Sequence, residues 1–301
     1  MASGGRTETP IATERKAPLR WRVEAVSPLC TTIRIDLNPP ERECWCLLRS
    51  DAHHDSPCTD RLMEKRHLDQ ARERGAMIFD GGDLFDAMGG PHDKRRSAGG
   101  VEDEDKVDDY YDRLLLRALE FYGPYAANFA VLATGNHETS VVKNAGTDLT
   151  GRLARELRER LGSPVVRMGY RGWVKFQVNV KGTQNAGRKM YFIHGSGGGG
   201  YATKGSLQGH RRQATVDADI IVSGHIHESL NQSRCRLFLS DGGVESIREV
   251  KHIQVPSYKN EHVKAAGWAI EKELDPKPVG ATWLKFSRIN DKLIVETFDA
   301  R

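Results

Sequence analysis

An α/β fold is predicted for this 301-residue chain, and three features point to it. Short apolar runs of strand length alternate with longer stretches whose apolar residues recur every three to four positions. Glycine follows several of those longer stretches, where a left-handed residue commonly ends a helix. Five apolar runs open at their carboxyl ends into loops holding Asp, His or Asn, the place where open α/β sheets bind ligands.

In chain order, residues 1–17 are poor in apolar residues and lack periodicity, so a disordered tail is expected ahead of one domain over residues 18–301. Cys44-Trp45-Cys46-Leu47-Leu48 reads as a buried strand running into Ser50-Asp51-Ala52-His53-His54. Thr59 to Arg74 has the pattern of an amphipathic helix, closed by Gly75. Ala76-Met77-Ile78-Phe79 is a second buried strand, leading to Asp80-Gly81-Gly82-Asp83-Leu84-Phe85-Asp86. Gly89 to Asp105 has no period and reads as a loop. Val107, Tyr111, Leu114, Ala118 and Phe121 then mark a helix ending at Gly123.

Asn128 to Ala133 is the third buried strand, followed by a Thr134-Gly135-Asn136-His137-Glu138 loop. Leu149, Leu153, Leu157 and Leu161 define another helix, stopped at Gly162. Val174, Phe176, Val178 and Val180 alternate with polar residues, which predicts a strand with one wet face. Lys189 to His194 opens onto a glycine run, and Ala218 to Val222 onto Ser223-Gly224-His225-Ile226-His227. The last fifty residues read as strands, with a hairpin at Asn290-Asp291. Trp268, Trp283 and Tyr258 read as packing residues rather than base-stacking platforms.

Composition narrows the classes. No run reaches the ~18 uncharged apolar residues of a membrane span, so no membrane association is expected. The first twenty residues hold no apolar run, so no secretory leader is expected. Five cysteines, an odd number, do not suggest a disulfide framework, and a reducing, cytoplasmic setting is expected. Cys44 and Cys46 are spaced by one residue and read as buried thiols rather than a zinc pair. A net charge of +4, from 45 basic and 41 acidic residues, leaves the class of partner open.

The chemistry is carried by Asp51-x-His53, Gly82-Asp83-x-x-Asp86, Gly135-Asn136-His137-Glu138, His194, and Gly224-His225-x-His227. Oxygen and imidazole donors of this kind suit divalent Mn, Fe or Zn. Any one of these motifs alone would pass for a turn or strand decoration; five in order at strand ends would not. Hydrolysis of a phosphate ester needs a strong nucleophile, neutralised phosphoryl oxygens and a protonated leaving group. Two cations about 3.5–4 Å apart meet the first two needs together, and a carboxylate between them offsets their repulsion. Asp83, at a strand end beside glycine, is the natural bridge.

Over roughly residues 47–228 the motif set resembles the calcineurin-like metallophosphoesterase superfamily. The resemblance implies a four-layer αββα sandwich of two mixed sheets flanked by helices, with a dinuclear centre at one edge. It implies that Asp51, His53 and His227 complete one metal site with Asp83. Asn136, His194 and His225 would complete the other, with Asp83 shared. Two divalent ions are implied, manganese first, with iron, zinc or nickel as alternatives; they would activate a hydroxide. His137 directly follows a ligand yet is not needed as one, and is the expected general acid. Asp86 resembles the carboxylate that orients this histidine in some members; its alternative reading is a helix N-cap or surface carboxylate.

The glycine run Gly197 to Gly200, with Tyr201, Lys204, His210, Arg211 and Arg212, reads either as a loop bringing cations to phosphate or as plain surface. Lys94, Arg95 and Arg96 carry the same two readings. Ala87 and Thr134 occupy positions where phosphoprotein phosphatases of the superfamily carry arginine. His137 stands where lipid A pathway pyrophosphatases have arginine. Gly82 to Asp86 looks like the repair-nuclease and bacterial phosphodiesterase branches. The expectation is therefore a metal-dependent hydrolase of phosphate esters, diesters before monoesters, whose substrate could be a nucleotide or nucleic acid. A DNA or RNA nuclease is the first alternative, and a non-catalytic scaffold on the same fold the second.

Overall fold

A computed structural model describes residues 19–90, 100–182, 184–198, 200, 202–263 and 268–300. The expected tail over residues 1–17, the Lys94–Arg96 cations and Tyr201 lie outside these residues.

Thirteen strands among the described residues form two mixed sheets. The six-stranded sheet is built on β3 (Glu43–Arg49), β4 (Met77–Asp80), β5 (Phe129–Leu132) and β6 (Val166–Arg167), all parallel. It is completed by antiparallel β12 (Ala281–Ile289) and β13 (Lys292–Ala300), in the order β13-β12-β3-β4-β5-β6. The seven-stranded sheet runs β1-β2-β7-β8-β9-β11-β10. Its members are β1 (Trp21–Ser27), β2 (Cys30–Asp36), β7 (Arg171–Lys181), β8 (Gln184–Ile193), β9 (Ile220–Ser223), β10 (Leu230–Leu239) and β11 (Glu245–Gln254).

The main core lies between the sheets. Cys44, Cys46, Leu48, Met77 and Phe79 from one meet Val174, Phe176, Met190, Phe192 and Val222 from the other. The opposite face of the six-stranded sheet, with Leu47, Ile78 and Phe129, is covered by α1 (Arg61–Glu73), α2 (Tyr110–Tyr122) and α4 (Leu149–Leu161). Helix α5 (Ser206–Thr215) lies along β10 and β11 on the far face of the seven-stranded sheet. The result is helices, sheet, sheet and helix in four layers. Strand β4 is buried at all four positions, as a parallel strand covered on both faces must be. In β7 the valines and Phe176 are buried while Lys175 is exposed, so the wet face is real.

Several elements differ from the sequence reading. The β1–β2 hairpin was not expected, although buried Ile33 and Ile35 alternate with exposed Arg34 and Asp36. Gly123 ends α2 but keeps a right-handed φ of −52°, and the chain continues as a 3₁₀ turn over Gly123–Asn128. Pro124 at its start fits that tight geometry. The expected loop at Asn136 is instead the first turn of α3 (Asn136–Ala145). Within the last fifty residues, 255–263 and 268–280 are mostly irregular rather than strand. Pro256, Pro276 and Pro278 lack the N–H a ladder requires. The Asn290-Asp291 hairpin has φ of 50° and 57°, the paired left-handed values of a type I′ turn. Cys44 and Cys46 are buried, and burial pushes the Cys44 thiol up to about 12. Among the described residues no helix is long and apolar enough to cross a membrane.

Candidate metal centre

Parallel strands end at the same edge of a sheet, so their following loops converge. β3 feeds Asp51 and His53, β4 feeds Asp83 and Asp86, and β5 feeds Asn136 and His137. From the facing sheet β8 delivers His194, and β9 delivers His225 and His227. Five of these residues stand in the left-handed region: Asp51 (φ 53°), His53 (44°), Asp83 (52°), His225 (72°) and His227 (56°). Non-glycine residues seldom adopt it, and they cluster there where the surroundings over-determine the backbone.

The side chains meet in three overlapping groups with metal-ligand spacing: Asp51, His53 and His227; His53, Asp83 and His137; and Asp83, His194 and His225. Asp83 thus belongs to a group with His53 on one side and to a group with His194 and His225 on the other. His53 Nε2 lies 3.2 Å from His227 Nε2, and His227 Nε2 lies 3.4 Å from Asp51 Oδ1. His194 Nε2 is 3.1 Å from both Asp83 Oδ2 and Asn136 Oδ1. Asn136 Oδ1 is also 2.6 Å from His225 Nδ1. All seven residues the sequence singled out as ligands therefore lie in one cluster.

The donor set fits divalent cations. Asp51 Oδ1 is buried and accepts no hydrogen bond, although three imidazole nitrogens stand within 4.0 Å of it. Such an orphaned oxygen is costly unless a cation takes it up. The ring orientations agree. His194 Nδ1 lies 3.0 Å from the Gly81 carbonyl and His53 Nδ1 lies 2.8 Å from Asp86 Oδ1. With Nδ1 of each ring turned to these oxygens, Nε2 is the ring atom that faces the cluster.

Electrostatics describe a site short of positive charge. Burial alone would raise Asp51, yet His194 and His227 hold it at about 2. Asp83 is likewise held well below the carboxylate range: burial is outweighed by His194 and His137. Burial lowers His194, but the Asp83 and Asp51 carboxylates outweigh it and lift the ring to about 10. Burial takes His53 down to about 4 despite Asp86.

Asp86 is 1% exposed and caps no helix, which removes its surface reading. Its carboxylate faces His53 and accepts from Lys259 Nζ at 3.1 Å. His137 instead places Nδ1 2.6 Å from the Asp86 backbone carbonyl, and 3.6 Å from the carboxylate. The contact with His137 is thus made chiefly by main chain. His54 turns from the cluster to Glu64, at 3.3 Å. Arg212 is 3.4 Å from His252 on β11, and Lys204, His210 and Arg211 are exposed.

Supporting residues escaped the sequence reading. Asp55 accepts from the N–H groups of Asp86 and Ala87 at 2.7 and 2.8 Å. Glu138 accepts from Gly135, Asp83 and Phe85 at 2.8, 3.0 and 3.0 Å. Ser223 donates to Gln254 Oε1 at 2.8 Å, and the Gln254 amide donates to the Gly224 carbonyl at 2.5 Å, fixing the His225 loop. Ser257 donates to the Asp51 carbonyl at 2.6 Å. Lys259, Ser257 and Gln254 lie far along the chain from the motifs, and no spacing marks them. Asp55 stands four residues after Asp51, and Glu138 within a motif. Glycine is required by close approach: a Cβ on Gly135 would stand 2.1 Å from Asp83 Oδ1, and one on Gly224 2.3 Å from Asp51 Oδ2.

No family model matches the chain, and no curated protein sequence matches it. Solved structures overlap it loosely. Vps29 complexed with zinc, from Entamoeba histolytica, is 12% identical with a TM-score of 0.35, covering 85% of this chain and 99% of that one. A predicted phosphoesterase from Streptococcus pneumoniae is 11% identical with a TM-score of 0.32, covering 86% and 90%. GAP50, the anchor in the inner membrane complex of Plasmodium, is 11% identical with a TM-score of 0.37, covering 86% and 85%. Likeness at this level bears on neither family nor activity.

Proposed function

We propose that the chain is a metal-dependent hydrolase of phosphate esters that acts on diesters in preference to monoesters. The observation that carries the reading is the meeting of Asp51, His53 and His227 with Asp83, His194 and His225, beside a half-buried His137. Asp51, His53, His227 and Asp83 would hold one cation; Asp83, Asn136, His194 and His225 would hold the second. A pair of divalent cations, manganese first and iron, zinc or nickel as alternatives, supplies Lewis acidity and lowers the pKa of water.

The chain's own groups do the rest. Asp86 and the Gly81 carbonyl fix the rings of His53 and His194. The Asp86 carbonyl fixes His137 through Nδ1, which leaves Nε2, 3.9 Å from Asp83 Oδ2, to hold the proton a leaving oxygen needs. The preference for diesters follows from charge. A monoester brings up to two negative charges and a diester one, and the half-buried cation beside the centre, Lys259, is already paired with Asp86 and Glu261.

The test is metal analysis and turnover on the purified chain, comparing bis(p-nitrophenyl) phosphate with p-nitrophenyl phosphate. Chelation should abolish turnover and manganese restore it, and Asp83→Asn should lose bound metal and turnover together. Turnover indifferent to chelation sinks the metal mechanism, and faster turnover of the monoester overturns the diester preference.

A further inference from the structure

Behind the ligand loops lies a group of buried charges that no motif marks. Arg49, the last residue of β3, is 0% exposed, a burial that arginine tolerates only when paired. In the parallel register its partner is Asp80, the last residue of β4. Arg49 Nε lies 2.8 Å from Asp80 Oδ2, and Nη2 lies 2.8 Å from Glu64 Oε1 on α1. The guanidinium also packs on two aromatic rings, with centroids 5.1 Å away for Tyr122 and 5.5 Å for Tyr258. Asp80 and Glu64 are as fully buried as the arginine.

Each carboxylate passes the contact on toward a ligand. Asp80 Oδ1 accepts the Gly82 N–H at 3.0 Å, directly before Asp83. Glu64 Oε2 lies 3.3 Å from Nδ1 of His54, the residue directly after His53. Tyr122 O–H donates to Glu64 Oε1 at 2.5 Å, and the Tyr258 N–H donates to the Asp51 carbonyl at 3.3 Å. One guanidinium is therefore joined, through one carboxylate each, to the loop of Asp83 and to the loop of Asp51 and His53.

Stability does not account for this arrangement. Buried ion pairs seldom outdo well-packed apolar residues of the same volume, and the preceding strand residues Leu47 and Leu48 are of that kind. Arg49 Nη1 makes no hydrogen bond among the described residues, so the burial is not even fully satisfied. What a planar fork supplies and an apolar side chain does not is direction, because its N–H edges fix where two carboxylates stand.

We propose that Arg49 is a positioning residue: through Asp80 and Glu64 it sets the separation between the loop of Asp83 and the loop of Asp51 and His53, and with it the spacing at which two cations are held. The inference rests on the two-cation reading above.

Arg49→Met alone would leave two buried carboxylates without their cation. Two other variants avoid that. Arg49→Lys keeps the charge and loses the fork, and the triple variant Arg49→Met, Glu64→Gln, Asp80→Asn removes all three charges at nearly constant volume. Manganese titration calorimetry and electron paramagnetic resonance at saturating metal compare them with the wild-type chain, after circular dichroism has established their fold. The wild-type chain should bind two ions and give the signal of a spin-coupled pair. Both variants should bind manganese about 10–100-fold more weakly, the usual loss when an outer partner of a ligand is removed, and their coupled signal should change. Unaltered affinity and an unaltered signal in a folded variant overturn the proposal. Failure of both variants to fold overturns it too, since Arg49 would then hold the fold and not the spacing. A wild-type chain that binds no pair of cations overturns the metal reading and this inference with it.

Discussion

His137 is held by one ring nitrogen and free at the other, and it is not among the seven ligand side chains. Replacement by alanine should therefore leave the bound metal unchanged while slowing turnover by about 10²–10⁴-fold on esters with poor leaving groups. Loss should be small on activated aryl esters, and kcat across a leaving-group series checks it. Equal loss throughout the series would deny His137 the acid role. At this scale the sequence was unusually readable. Asp and His at strand ends have few structural reasons to be there, so Asp51, Asp83 and His194 stand out unaided. Lys259 and Gln254 do not, because a lysine or glutamine in an irregular or strand segment is ordinary until the fold brings it to Asp86 or Gly224.

Helix α3 is the element that most affects the centre. It begins at Asn136, and its first turn is tied to the β4 loop because Glu138 accepts N–H groups from Asp83 and Phe85 as well as from Gly135. Burial, with the Asp83 carboxylate nearby, pushes Glu138 up to about 8. Glu138→Ala would strand three buried donors, so it should destabilise the chain by about 2–4 kcal/mol. It should also weaken metal binding, because the loop bearing Asp83 loses its anchor; urea unfolding and a metal titration read the two effects. Strands with buried, unbroken apolar runs, such as β4 and β5, were legible. Helix α3 was not, since Asn-His-Glu-Thr carries no apolar period and its helix is imposed by contacts with β4. The irregular stretch over 255–263 was missed for the opposite reason: it packs through backbone and hydroxyl contacts, such as those of Ser257 and Tyr258, that leave no pattern.

Over the whole molecule, the cluster draws on both sheets: Asp51, His53, Asp83 and Asn136 from the six-stranded one, His194, His225 and His227 from its neighbour. In the metal-free fold His194 supplies positive charge between them. Its value of about 10 lies above the ordinary 6.5. The resulting stabilisation is complete below pH 6.5 and is lost as pH rises through 10. A cation taking His194 Nε2 must displace that proton. Metal affinity should thus rise with pH across neutrality, and binding at pH 7 should release about one proton from this residue. Calorimetry in two buffers of different ionisation enthalpy checks it; a proton count of zero would mean the ring is already neutral.

The left-handed backbone at Asp51, His53, Asp83, His225 and His227 has one further consequence. Main-chain hydrogen bonds such as Asp51 N to Gly82 O and His53 N to Asp83 O, each 3.0 Å or shorter, pin two of these residues in place. The awkward torsions are thus endured while the chain folds, not when an ion arrives. Capture then has little ordering left to do, and affinity is set by the donors themselves.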